Sequence, residues 1–419
     1  MSDTAARNQN PGPTEFWYWD VVDAPAVQRL RRAWKLIFRF DPQPDDEYVR
    51  RFAQAYYDTD PVAEAFVADV YDKLGPRDGR RMLDQAIEHG VHTVPDAPDS
   101  MRALFAEFEE DPPWLDKAAV ELGARVFRRW GTALFKFATA TTLDMYTEAS
   151  IAKPLALSGG YTSGRAQHRQ LETIRFWIDV SEPAGLEPGG AGRATSMKVR
   201  VMHVFIRRRL LEHPEWDLAA WGNPISVGDA TLTLMGGSIV PGLGLWSIGH
   251  QTSRREIEAL LHFWRYVGHL LGVQPDWYPE DIRQSLQLMY AAFVKRAYSA
   301  GADGAELIEA YLPAFAPPVG ERGIARLRHE IDYRSLIGYT RFWMAPWRYN
   351  AHDMPNPWPW ALTPLLQAPF LLVFELLRRN VALVDRLFDR WQRTRREAWY
   401  RRQMGEREAE FMPAEQLRR

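Results

Sequence analysis

His203 stands in the stretch VRVMHVFIRRRL, residues 199–210, flanked by Arg200 and Arg207. Wound as a helix at about 100° per residue, Val199, His203, Ile206 and Leu210 share one face, and the two arginines run along its edge. An imidazole on an apolar face either finds a polar partner within the core or keeps a neutral ring nitrogen free for a metal. Upstream, HRQLETIRF, residues 168–176, places Arg169 and Thr173 four residues apart on one helical face, with Glu172 beside them. The Gly/Pro-rich stretch SEPAGLEPGGAGR, residues 181–193, separates the two segments and reads as a loop. Thr173 lies about 12 Å before that loop and His203 about 15 Å after it, measured along helix axes. An antiparallel pair then brings the two to similar height. A flat cofactor would fit between them, with His203 as the ligand of its iron. Arg200 and Arg207 would pair with carboxylates at the ring edge, Thr173 would donate to bound dioxygen, and Arg169 would hold the opposite wall. Glu148 is a further candidate base. The bland alternative is a satisfied core histidine among solvated arginines, and the spacing leaves both readings open.

Composition narrows the chemistry. The 419 residues carry a net charge of −2 with 46% hydrophobic and 25% charged residues, an ordinary globular balance that gives no sign of nucleic-acid binding. There is no cysteine. Disulfides, thiolate nucleophiles, cysteine zinc sites and thiolate-ligated or covalently attached haem are thereby excluded. Any haem is noncovalent and held by His, Met or Tyr. The polar N-terminal stretch has no apolar signal-type core, so a cytoplasmic location is expected. Seventeen tryptophans suit either a large apolar interior or a membrane-facing surface. Glu258, His262 and His269 fall on one helical face and offer a second, weaker metal reading; a polar seam between helices explains them equally. No HExxH, Gly-x-Ser-x-Gly or phosphate-loop motif occurs.

Helical periodicity runs through nearly the whole chain, in Val27–Phe40, Tyr48–Tyr57, Val62–Leu74, Met101–Phe108 and Leu115–Tyr146, then at about 165–180, 194–212, 252–272, 279–299, 303–313 and 319–338. Residues 230–237 are the best strand candidate, unless they enter another helix. The expected fold is all-α: one large domain with a globin-like helical core and extra N- and C-terminal helices. Residues 1–20 read as a disordered or extended segment and 21–114 as N-terminal helices packed on the core. The core itself spans 115–340. Residues 341–404 form a Trp/Pro-rich segment and a basic amphipathic helix, and 405–419 a polar tail. The apolar run 364–377 is interrupted by Gln367, Pro369 and Glu375 and reads as too short to span a bilayer. Residues 378–402 hold nine arginines against Asp385, Asp389 and Glu397. That helix suits peripheral contact with an anionic membrane, or simple packing on its own domain.

RQLET, KVRVMHVFIR, GNPIS and EALLHFWRYVGHLLGV together resemble the catalytic domain of the rubber oxygenase (latex-clearing protein) family over roughly residues 115–300. The family's distal Arg-x-x-Lys-Thr is similar to Arg169 through Thr173, its proximal histidine to His203, and its Trp-x-x-x-Gly-His region to Trp264 through His269. The resemblance implies a helical core holding haem b, and dioxygen-dependent cleavage of an isoprenoid double bond to carbonyl products. Fungal relatives cleave a prenyl chain on a small molecule. The site set it implies is Arg169, Glu172 and Thr173 on the catalytic side and His203, Arg200 and Arg207 at the cofactor. One position departs: Glu172 stands where rubber-cleaving members carry lysine. Either it faces the pocket as a base or sixth ligand, or it points sideways into a salt bridge with Arg175 or His168. The expected partners are dioxygen and an apolar small molecule, not polymer. A haem protein without oxygenase chemistry and a cofactor-free membrane-docking scaffold remain the alternatives; the oligomeric state is open.

Overall fold

The computed structural model describes residues 10–158, 165–409 and 411. Among them there is no strand, and residues 230–237 belong to a helix. The helices that matter below are α1 (Lys117–Arg129), α2 (Gly131–Met145), α3 (Arg165–Ser181), α4 (Ala191–Leu211), α5 (Val227–Gly237), α6 (Arg254–Leu270), α7 (Gly323–Trp343), α8 (Thr363–Asn380) and α9 (Ala382–Met404). Three of them start at side chains that accept free N–H groups of the first turn. Asp116 does so for α1 and Ser226 for α5. Ser253 and Glu256 form a reciprocal capping box at α6.

The central pair is α1 against α6. Gly123 lets the two backbones meet: a β-carbon there would lie 2.3 Å from the Ala259 carbonyl oxygen. Around this pair one apolar core runs from Phe16 to Met404 and includes the N-terminal helices. The periodic segment 115–146 is two helices rather than one. Trp130 ends the first, and Gly131 at φ +56 turns the chain, with Gln392 occupying the space a side chain would need. The N-terminal segment is also less free than its composition suggests. Phe16 and Tyr18 are buried, Tyr18–Val21 is helical, and the Trp17 amide donates to the Lys295 carbonyl. Residues 1–9, and all of the tail beyond 404 except 405–409 and 411, lie outside the described residues.

Buried charge was invisible in the sequence pattern. Arg129, Glu256, Arg378, Glu375 and His250 form one interior network: Glu256 accepts from Arg129 at 2.8 Å and from Arg378 at 3.1 Å, and Glu375 meets Arg378 Nε at 2.7 Å and His250 at 3.1 Å. The interruptions of the apolar run therefore have a function in the fold. Glu375 and Arg378 turn inward and fasten α8 to the body, while the helix continues through Pro369. With the 3-10 turn before it, the segment Trp360–Asn380 is 21 residues, long and apolar enough to cross a membrane. This corrects the expectation that it is too short. Only 11% of its apolar window is buried, against 61% for the other helical segment of that kind, Val227–Ile248.

Lys136 on α2 is buried beneath α7, donating to Ser335 Oγ at 2.7 Å and lying over the Tyr339 ring. Desolvation pulls its ammonium down to about 8. The unfolded chain holds that proton more tightly, so the charge destabilises the fold. This penalty is complete below about pH 8 and is lost as pH climbs towards the free-lysine value near 10.5. Lys136→Met should therefore stabilise the protein at pH 7 by the order of 1 kcal/mol, and the gain should shrink as pH rises to 10. Thermal unfolding at the two pH values reads this out. A gain that grows with pH would contradict it.

Candidate functional site

α3 and α4 form the hairpin that the Gly/Pro loop implies. At its closed end the backbones touch: a β-carbon on Gly192 would lie 2.5 Å from the Val180 Cα, and Thr195 Oγ1 donates to Asp179 at 3.2 Å. Thr173 follows from Val180 by about two turns on the same face of α3. His203 follows from Gly192 by about three turns on the same face of α4. Tightly packed helices would cover both side chains. Thr173 is exposed and His203 is only half-buried. Away from the closed end, Thr173 on α3 and His203 on α4 each keep part of their surface uncovered. Among the described residues, Thr173 Oγ1 makes one long contact, 3.4 Å, to the Arg169 carbonyl of its own helix.

His203 has no hydrogen-bond partner for either ring nitrogen among the described residues. Burial and the neighbouring Arg207 charge hold its pKa down to about 4, with Asp60 opposing weakly. The ring is neutral near pH 7. It also borders a narrow recess, with room for little more than a water molecule, whose walls include Asp60, Arg200, Arg207, Ser226, Ala230 and Gly272 and no residue of α3.

The two arginines have other work. Arg200 Nε donates to Asp60 at 2.6 Å and its Nη2 to Glu107 at 2.7 Å, with the guanidinium almost fully buried. Arg207 pairs with Glu64 at 2.9 Å and donates to the carbonyls of Pro224 and Ile225. The ring-edge carboxylates expected for them are replaced by protein carboxylates from the N-terminal helices. Asp60, which precedes Pro61 in the sequence, also starts a helix: it accepts from the Ala63 amide at 3.1 Å. Nothing near Arg200 in sequence announces a partner 140 residues away.

Glu172 is buried, about 100° around the helix from Thr173. It pairs with Arg169 at 3.1 Å and lies 3.7 Å from His168. Arg175, the other partner considered, goes instead to Asp179 and Glu397. The sideways geometry holds here, not the pocket-facing one. Glu148 is likewise occupied: Lys295 and Arg296 flank its two oxygens, so it is not placed to act as a base. Glu258 pairs with Arg254 at 2.8 Å, His262 accepts from the Asp116 amide at 2.8 Å, and His269 contacts Gln274 at 2.9 Å. This face is the polar seam. No cluster of three or more potential metal ligands occurs among the described residues.

A sequence profile of the family described as ER-bound oxygenase mpaB/B'/rubber oxygenase, catalytic domain, matches residues 124–405. The chain belongs to this family. The rubber oxygenase of Streptomyces sp. (strain K30) is 25% identical to it over 203 residues. That stretch is 47% of this chain and 47% of the relative, so the match spans about half of that protein's length. Latex clearing protein in its closed state has a similar fold, at TM-score 0.59 and 18% identity, covering 80% of this chain and 91% of the other. The mpaB/rubber oxygenase match begins within α1 and ends past α9. It takes in both helices of the hairpin, while the carboxylates that hold Arg200 and Arg207 come from outside it.

Proposed function

We propose that this protein is a haem b-dependent oxygenase that cleaves a carbon–carbon double bond in an apolar, isoprenoid-like molecule. The observation that carries the reading is His203: a neutral, partly buried imidazole with no hydrogen-bond partner among the described residues, on the helix paired with that of Thr173, in a chain of an oxygenase family. The residues fit the group in donor chemistry, since an axial ligand must be unprotonated and uncommitted. Haem iron, when bound, supplies the activation of dioxygen that a metal-free side chain cannot.

The rest is done by the chain. Burial, and then the charge of Arg207 beside it, disfavour a proton on His203 and keep the ring available as ligand near neutral pH. The Asp60–Arg200 pair, one turn before His203, pins that part of α4 to the N-terminal helices and fixes the ring's height. Thr173 is free to turn its hydroxyl from its weak contact towards a polar atom of the reacting molecule. Arg169 is held by Glu172, so it keeps a fixed orientation at the edge of the same face. In balance, one dioxygen and one C=C bond give two C=O groups; the double bond breaks and no outside reductant is needed. The name of the Streptomyces relative points to rubber, an isoprenoid polymer, and is the ground for the substrate class.

The test is the absorption spectrum of the purified protein, followed by incubation with isoprenoid oligomers under ¹⁸O₂ and mass analysis. A Soret band with aldehyde or ketone fragments carrying the label supports the reading. A Soret band with no fragments would leave a gas-binding or carrier haem protein instead; no Soret band after added haemin would remove haem altogether.

Glu172 gives a sharper prediction. Because its carboxylate is engaged sideways, Glu172→Gln should leave the Soret position unchanged and lower turnover less than about tenfold, through a looser Arg169. A shifted Soret band, or a loss above a hundredfold, would restore it to the role of ligand or base.

A further inference from the structure

We infer that the outer faces of α8 and α9 form one surface that inserts into the interface of an anionic lipid bilayer. On α8, Leu366, Phe370, Val373 and Leu377 follow at intervals of four, three and four, and so lie on one stripe. All four are exposed, Phe370 to 77%. The helix is 18 residues long, about 27 Å. Its one acid, Glu375, and the buried Arg378 both point inward, so the outer face carries no charge until Arg379. A soluble chain rarely leaves such a stripe uncovered.

α9 continues the same surface. Phe374 of α8 packs on Phe388 of α9 with ring centroids 4.6 Å apart, and Phe388 stacks on the exposed Trp391. The charges of α9 are sorted by side. Its acids face the protein: Asp389 holds Arg128 at 2.8 Å, Glu397 holds Arg175 at 3.0 Å, and Asp385 lies 3.8 Å from both Arg129 and Arg378. Arg396 and Arg393 are also drawn in, to Glu182. Arg386, Arg390 and Arg395 remain outward beside Leu387 and Trp391, with no acidic partner among the described residues. The result is an apolar stripe with a basic fringe and no acid on its outer side.

That charge pattern selects the occupant. An anionic headgroup layer complements the arginines, while the acyl region covers the stripe. A two-fold dimer through the same face would bring the arginine fringe against its own copy. Crossing the bilayer is disfavoured for α8 as placed, because a spanning helix is clear of the folded body. Here Gly249 sits so close that a β-carbon would lie 2.3 Å from the Ala368 carbonyl, and two ionised groups tie the inner face to the core. The helix lies in the plane of the interface. α9 also packs on α3, the helix of Thr173, through the Arg175–Glu397 pair, which places the membrane side next to the proposed site.

The surface is independent of haem, and its test reads lipid binding alone, so its failure and that of the oxygenase reading are distinguishable. Full-length protein is floated with phosphatidylcholine vesicles and with vesicles in which a third of the lipid is phosphatidylglycerol. Wild type should float with the anionic vesicles. Leu366→Glu with Phe370→Glu, both at exposed positions, should lower that partition at least about tenfold. Arg386→Ser with Arg390→Ser should weaken binding to the anionic vesicles only, and added salt should do the same to wild type. Circular dichroism checks that both variants remain folded. Wild type that stays in the dense fractions with both vesicle types would overturn the inference. So would vesicle binding that the glutamates leave unchanged while they dissociate a dimer in sedimentation.

Discussion

His203→Ala should abolish stoichiometric haem binding and reduce oxygenase turnover at least about a hundredfold, while leaving the helical content intact. The two halves of the expectation come from the same observation. The ring makes no hydrogen bond among the described residues, and it is half-buried, so its loss breaks no polar contact of the fold. A core histidine would behave in the opposite way: removing it would strand a partner and unfold part of α4. Soret absorbance per chain, turnover on an isoprenoid oligomer and far-ultraviolet circular dichroism on one preparation separate the cases. Added imidazole should restore part of the Soret band by entering the vacated space. A variant with full haem and full activity would remove His203 from the mechanism, and with it the reading of the hairpin.

The hairpin was legible in the sequence because its signals are local. Helical spacing on either side of a Gly/Pro loop marks two helices that pair, and Gly192 lets their closed end pack. The same reasoning failed wherever the deciding contact lies far along the chain. Arg200 and Arg207 look alike in sequence to groups awaiting a ligand. Their carboxylates, Asp60, Glu107 and Glu64, lie about a hundred residues or more away in other helices, and no spacing rule reaches that far. Glu375 shows the complementary failure. In a linear reading it breaks an apolar run, and in the fold it is the inward anchor that lets the rest of α8 stay apolar outside. A glutamate three residues before an arginine on one helix was the only signal, and it is too common to use alone. Glu172 was the intermediate case: the two geometries considered were both local, and neighbouring charge on its own helix decided between them.

Asp60→Ala is expected to be the most destabilising single change near the site, lowering unfolding free energy by about 3–5 kcal/mol. Asp60 does two things. It caps the helix Pro61–Phe66, which is worth about 1 kcal/mol, and it neutralises Arg200, whose guanidinium is 1% exposed. Glu107 remains as a second partner at 2.7 Å but is more exposed, so it offsets only part of the loss. The site is built around the pair. Gly272, at φ +73, has no side chain, and a β-carbon there would lie 2.1 Å from the Asp60 carboxylate and 2.7 Å from Arg200 Nε. Three variants separate the contributions in urea unfolding. Asp60→Asn keeps a capping side chain but loses the charge, so it should still cost most of the total. Arg200→Met in the Asp60→Ala background removes the stranded cation, and should recover at least about 2 kcal/mol, a coupling that independent sites would not show. Haem affinity should track the same order, weakest in Asp60→Ala, because the pair holds α4 one turn below His203. Equal stability for Asp60→Ala and the double variant would mean that solvent or Glu107 satisfies Arg200 unaided, and the recess would then be a surface feature with no hold on the histidine.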